Sequence, residues 1–133
     1  MGSPQMNFID ATARVAGGKA YLDVEGQSIE LPADKAKAVI DGGYNGKAVT
    51  FGIRPENIIE VKGNEAPYAF ESKVNVYELL GAEVFLYFDL GSANITARVE
   101  PTTKVRPGDT VKYTFDTKKI HIFDKETELT IAN

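Results

Sequence analysis

Apolar side chains recur at every second position through much of this chain. Val84, Leu86, Phe88 and Leu90 alternate with Phe85, Tyr87 and Asp89, the mark of a strand with one buried face. Ile95, Ala97 and Val99 alternate with Thr96 and Arg98, and Val111, Tyr113 and Phe115 behave the same way. A four-residue turn at Gly91 to Asn94 predicts the pairs Leu90–Ile95, Phe88–Ala97 and Leu86–Val99. A turn at Asp116 to Lys119 predicts Phe115–Ile120 and Tyr113–Ile122. Both registers keep the apolar residues on one side, whereas a slip of one residue would invert the faces. Upstream, placing Val74, Val76 and Leu80 on the face of Val84 and Leu86 requires an odd loop or a bulge near Gly81. That reading turns Glu78 inward or toward a crevice.

The first half carries shorter runs divided by glycine turns. Phe8 to Val15 and Lys19 to Val24 flank Gly17-Gly18, which predicts a hairpin. Glu25-Gly26-Gln27 turns the chain into Ser28 to Leu31. One helix is predicted over Pro32 to Asp41: proline suits a first turn, Ala36, Val39 and Ile40 share a face, and Gly42-Gly43 stops it. Lys47 to Arg54 is the next strand, ending at Pro55, and Ile58 to Val61 makes a short edge strand. The pattern predicts an all-β fold: a Greek-key barrel of the OB type with a smaller β lobe and one short helix, a β-sandwich being the second choice. Residues 1–5 read as a leader or junction and 6–133 as a single domain. Within it a smaller N-terminal β portion covers about 6–50 and the main barrel strands about 47–133, the two intertwined.

Composition narrows the chemistry. The 133 residues carry a formal charge of -4, and Lys118-Lys119 is the only adjacent basic pair, so no basic face for nucleic acid is expected. The chain has no cysteine, which excludes disulfides and thiolate chemistry. Gly42 to Ala48 resembles a phosphate loop only at Gly46-Lys47, since Asp41 and Ala48 stand where glycine and a hydroxyl residue are needed. His121 is the only histidine and alternates outward between Ile120 and Ile122, which leaves no zinc ligand set and no Gly-x-Ser-x-Gly partner.

Several residues have both a structural and a functional reading. Asp124, Glu126 and Glu128 could gather a cation, but without a closing loop they read as a solvated tail. Glu78 and Glu83 are the candidate carboxylate pair; the structural reading is one half-buried, hydrogen-bonded Glu and one surface Glu. Tyr77, Phe85 and Tyr87 alternate away from the core, as a packed layer or protein interface or as a base-stacking platform. Arg54 and Glu56 flank Pro55 as a local ion pair or as a partner contact. Asn94-Ile95-Thr96 spells a glycosylation sequon, which matters only in a secreted chain.

Four segments in order resemble the C-terminal regulatory domain of carbohydrate-importing ABC transporter ATPases of the maltose and multiple-sugar type. They are Gly2-Ser3-Pro4 with Met6-Asn7-Phe8, Gly52-Ile53-Arg54-Pro55-Glu56, Glu78-Leu79-Leu80-Gly81-Ala82-Glu83, and His121 to Asp124 with Glu126-Thr127. The resemblance implies an OB-type barrel beside a smaller β lobe. It also implies a non-catalytic role in regulation and dimerisation, with Gly52, Arg54, Pro55, Glu56, Glu78, Gly81, Glu83, Phe123 and Asp124 as motif or partner-contact residues. ATP and magnesium would belong to the parent chain, which would be the ATPase, and this segment would hold no cofactor or metal. Implied partners are the parent's nucleotide-binding domain, a second regulatory domain, the transporter's membrane subunits, and in some members a regulator from the sugar phosphotransferase system. The implied location is the cytoplasmic face of the membrane. The alternatives are a free-standing OB module that binds nucleic acid or a small anion through Tyr77, Phe85 and Tyr87, and an enzyme using Glu78 and His121.

Overall fold

The computed structural model describes residues 5–63 and 66–133. The junction reading of residues 1–5 lies outside the described residues except for Gln5. Strands and one α-helix make two compact units. Residues 54–116 with 5–7 form one, and Phe8–Ile53 with Thr117–Asn133 form the other.

The second unit is built on a six-stranded sheet. Its strands are β1 (Asn7–Ala16), β2 (Lys19–Val24), β3 (Gln27–Glu30), β4 (Ala48–Ile53), β10 (His121–Asp124) and β11 (Thr130–Ala132), in the order β11-β10-β4-β1-β2-β3. Ala16 faces Lys19 and Val24 faces Gln27, so two-residue turns join β1, β2 and β3. Strict alternation along β1 buries Ile9, Ala11 and Ala13 and exposes Phe8, Asp10 and Thr12. The buried face continues through Leu22, Ile29, Val49, Phe51 and Ile122, each side chain contributing about 1.5–3 kcal/mol by leaving water. The helix α1 (Ala33–Asp41) starts after Pro32 and buries Ala36 and Val39, while Ile40 stays 36% exposed. Lys35 is also buried, and its Nζ donates to the main-chain oxygen of Asn133.

The first unit is a five-stranded sheet ordered β5-β9-β6-β7-β8. Its strands are β5 (Ile58–Glu60), β6 (Phe70–Leu80), β7 (Glu83–Leu90), β8 (Ala93–Val99) and β9 (Thr110–Phe115). β5 and β8, at opposite ends of that order, come into contact, so the sheet curls toward a barrel. The core is an aromatic cluster in which the Phe88 and Tyr113 centroids lie 4.6 Å apart, with Phe70 and Phe115 packed beside them. One polar device in this core is economical. Ser72 Oγ donates to the Asp89 carbonyl at 2.8 Å, which commits its proton, so Tyr113 donates its hydroxyl proton to Ser72 Oγ at 2.9 Å.

An all-β fold with one helix and an OB-type curl is what the pattern predicts. Three register expectations need correction. Leu90 pairs with Ala93, Phe88 with Ile95 and Leu86 with Ala97, two residues away from the expected register. A shift of two preserves every face, so hydrophobicity cannot distinguish the registers; the tight turn at Gly91, with φ of 59°, decides. The bulge falls between Val74 and Val76 rather than at Gly81, where a two-residue turn joins Leu80 to Glu83. Val76 and Leu80 consequently stand 48% and 38% exposed instead of joining the core. Finally, β9 and β10 do not pair: β9 lies between β5 and β6, and β10 lies between β4 and β11. Alternation fixes which face is buried, not which strand is the neighbour.

Burial pushes the Tyr113 hydroxyl up from 10.0 to about 12. The folded state therefore holds this proton more tightly than the unfolded state, so its contribution is complete below pH 10.0 and is lost as pH rises toward about 12. Urea unfolding across that window should show stability falling with pH, with a shallower fall in Tyr113→Phe. At neutral pH, Ser72→Ala should cost about 1–3 kcal/mol, because it leaves a buried hydroxyl without its acceptor.

Candidate functional site

The Gly52–Glu56 segment is a strand end followed by a single helical turn. Gly52 pairs with His121 across β4 and β10. Arg54 is extended, with φ of -77° and ψ of 152°, as the residue before a proline must be. Pro55 opens the one-turn helix Pro55–Asn57 and is buried, its missing N–H costing nothing at that position. Arg54 and Glu56 both point to solvent. Among the described residues no ion pair joins them, so of the two readings the local pair is not the one observed.

Glu56 lines an open groove of about 300 Å³ with Ala82, Glu83, Arg98, Val99, Glu100 and Pro101. The second motif thus meets the tail of the first. Arg98 donates to Glu83 Oε2 at 2.7 Å, while Tyr87 donates to Glu78 Oε1 at 2.5 Å and holds that hydroxyl above its ordinary range. Glu78 and Glu83 therefore serve different partners and are not brought together as an acid–base pair. With three carboxylates and one guanidinium lining it, the groove favours cationic side chains over anions. Glu78, expected to point inward or toward a crevice, is half-buried at the side of the hairpin and hydrogen-bonded, while Glu83 is exposed, as the structural reading of the pair has it. At the hairpin tip Leu79 is 59% exposed.

Within the second unit the two remaining motif segments flank the first as neighbouring strands, since β10, β4 and β1 are consecutive in the sheet. The Phe8 and Phe123 rings lie 6.1 Å apart on its outer face and line a groove of about 410 Å³ with Thr50, Asp124, Lys125 and Glu128. Asp124 is occupied by the fold: it accepts from Tyr44 at 2.9 Å and from the amides of Glu126 and Thr127. The bond from the Thr127 amide, then Tyr44, holds its carboxyl below the usual range. Those bonds make Asp124 a turn-former rather than part of a cation site with Glu126 and Glu128. Asp10 accepts from Lys125 at 2.8 Å and from Thr50 at 3.0 Å, and its carboxyl is lowered chiefly by Lys125. His121 is half-buried on β10, well apart in role from Glu78, which belongs to the other unit.

The three aromatic residues of the stacking alternative do not form an open platform. Phe85 is 4% exposed, which fits the packed-layer reading and not the stacking platform. Alternation separates two faces of a strand but leaves open whether the second is covered. Tyr77 is half-exposed beneath the Arg106 guanidinium, 4.3 Å from its ring, and Tyr87 is tied to Glu78. Sequence reasoning missed Arg98, Tyr44 and the reach of Asn7. The correct β7–β8 register was the signal for Arg98, because it places Arg98 opposite Phe85 and diagonal to Glu83.

Comparison with known proteins places the chain in a family. Residues 2–58 match the MalK OB fold domain, and residues 51–123 match the TOBE domain. The chain belongs to the TOBE domain family. It is 34% identical to the oligosaccharides import ATP-binding protein MsmX of Bacillus subtilis, covering 98% of this chain and 36% of that protein. It is 36% identical to the multiple sugar-binding transport ATP-binding protein MsmK of Streptococcus mutans, over 98% of this chain and 35% of that one. The corresponding values for the trehalose/maltose import ATP-binding protein MalK of Thermococcus litoralis are 34%, 96% and 34%. The chain thus spans about a third of the length of these relatives. In fold it is similar to ModG, a cytoplasmic molybdate-binding protein solved with molybdate bound, with a TM-score of 0.60 at 12% identity over 92% of this chain and 96% of ModG. Among the described residues no helix is long and apolar enough to cross a membrane.

Gly81 has φ of 62° with open space around it, so a substituent there meets backbone strain alone. Gly81→Ala should cost about 1–2 kcal/mol in urea unfolding, and Gly81→Asn less, since asparagine tolerates this conformation.

Proposed function

We propose that this chain is the regulatory and dimerisation portion of the ATP-binding subunit of a sugar-import ABC transporter. The observation that carries this reading is the alignment of nearly the whole chain with sugar-import ATP-binding proteins of about three times its length. In the parent, ATP and magnesium belong to the remaining two-thirds, which is the ATPase. The portion described here contributes binding surfaces rather than chemistry. Its partners are the parent's nucleotide-binding portion, a second copy of the same portion, the membrane subunits through the assembled complex, and in regulated systems a phosphotransferase-system protein. The working location is the cytoplasmic face of the membrane.

The geometry is compatible with such a role. Arg54 and Glu56 are held outward by a buried proline, and their side chains have no partner among the described residues. Exposed apolar residues, Leu79 and Leu80 on one unit and Phe8 and Leu129 on the other, offer further contact points. Effective concentration gives weak contacts weight, because two portions tethered to closing catalytic halves meet at concentrations that free domains do not reach. The nucleic-acid alternative loses support from the burial of Phe85 and from the charge of -4.

The test replaces the matching third of MsmX with this chain and measures ATP-dependent oligosaccharide uptake in cells lacking MsmX. Uptake at a substantial fraction of the native level is expected. An Arg54→Ala, Glu56→Ala double variant should lower uptake several-fold while leaving the thermal midpoint of the isolated chain within a few degrees. A well-expressed, folded chimera that supports no uptake would sink the assignment. So would tight, salt-sensitive binding of single-stranded oligonucleotides by the isolated chain.

A further inference from the structure

We propose that the Asn7 side chain acts as a substitute strand that closes the open edge of β8. β8 is the last strand in the order β5-β9-β6-β7-β8. Its pairing with β7 places Thr96 opposite Tyr87. In an antiparallel ladder, the main-chain groups of successive residues point alternately toward and away from the neighbour. Thr96 is a residue whose amide and carbonyl point away from β7, because both are taken by one side chain. Thr96 N donates to Asn7 Oδ1 at 2.8 Å, and Asn7 Nδ2 donates to the Thr96 carbonyl at 2.9 Å.

The chemistry explains why asparagine stands there. A carboxamide carries a donor and an acceptor side by side, so it reproduces the paired N–H and C=O of a neighbouring strand in one side chain. Aspartate could only accept; serine is too short to span both groups. Asn7 is 5% exposed although it is polar and stands 89 positions away from Thr96 in the chain. Burying a polar group this deeply is tolerated only when its hydrogen bonds are made. The other end of the same edge is closed differently. The one-turn helix Pro55–Asn57 and the following strand β5 pack on β8, and Glu56 shares a groove with Arg98 and Val99.

An exposed, regular strand edge invites pairing with another chain. Asn7 blocks that route at the middle of β8. It also fastens the polypeptide just before Phe8, where the chain leaves one compact unit for the other. The inference concerns the free-standing fold and does not rest on the transporter reading.

Amide hydrogen exchange of the folded chain, followed by NMR, tests it. In Asn7→Ala, the Thr96 amide should exchange at least tenfold faster than in the parent, while Ile95 and Ala97, bonded toward β7, keep their protection. Asn7→Asp, which retains the acceptor but sets an anionic oxygen against the Thr96 carbonyl, should give a smaller acceleration at Thr96. It also serves if the alanine variant does not fold. Sedimentation should show a concentration-dependent association gained by Asn7→Ala relative to the parent. Unchanged Thr96 exchange in a folded variant would overturn the clip. A clip without any gained association would overturn its role in guarding the edge.

Discussion

The fold depends on one long-range ladder, that between β4 and β10. Gly52 pairs with His121 and Phe51 with Ile122, and every strand from β5 to β9 lies between them in sequence. The five-stranded sheet is therefore an insertion whose two ends are held side by side. Inside that sheet the same ends meet again: Ile58 pairs with Phe115, and Asp116 donates its amide to the Asn57 carbonyl at 2.9 Å. Two separate ladders thus impose the same closure on one loop. The entropy of closing it grows only slowly with length, so either ladder lowers the cost of the other. The consequence is a high share of non-local contacts, which argues for folding that is slow relative to helical proteins of this size.

That architecture explains what could be read from the sequence and what could not. Faces were legible. Val84, Leu86, Phe88, Ile95, Ala97, Val111, Tyr113 and Ile122 are all buried as their alternation requires. So were the helix, its glycine stop, and the glycine hairpin after Ala16. Neighbours were not legible, because period-two patterning is blind to shifts of two and to the choice of partner strand. The β7–β8 register slipped for the first reason, and the imagined β9–β10 hairpin failed for the second. The lost register hid the Arg98–Glu83 bond, the main polar contact in the groove beside Glu56. Asn7 was hidden more deeply, since its partner lies 89 positions away and nothing local marks a side chain that imitates backbone.

Motif recognition succeeded where pattern reasoning stopped, for a physical reason. The quoted segments are places where backbone geometry is unusual: a strand end before a proline, a two-residue turn at Gly81, and a carboxylate at Asp124 capping amides of its own turn. Such places demand particular residue types, so they keep a readable spelling even where the surrounding strands need only be apolar on one face. Their clustering into neighbouring strands of one sheet and one groove of the other then follows from topology.

Gly52 to Glu56 shows how much of a motif is consumed by the fold. Ile53 is wholly buried, Pro55 is buried at the start of a helical turn, and Gly52 sits within the β4–β10 ladder. Proline dictates the extended backbone of Arg54 and removes a donor that would have gone unpaired. Those three residues need no function beyond architecture to account for their identity. Arg54 and Glu56 are different, because their exposed side chains make no ion pair among the described residues that would justify either charge. An exposed charge is cheap to replace within the isolated fold, so the packing of this segment requires neither identity. The buried glycine, isoleucine and proline hold these two exposed charges two residues apart, across a strand end and a single helical turn.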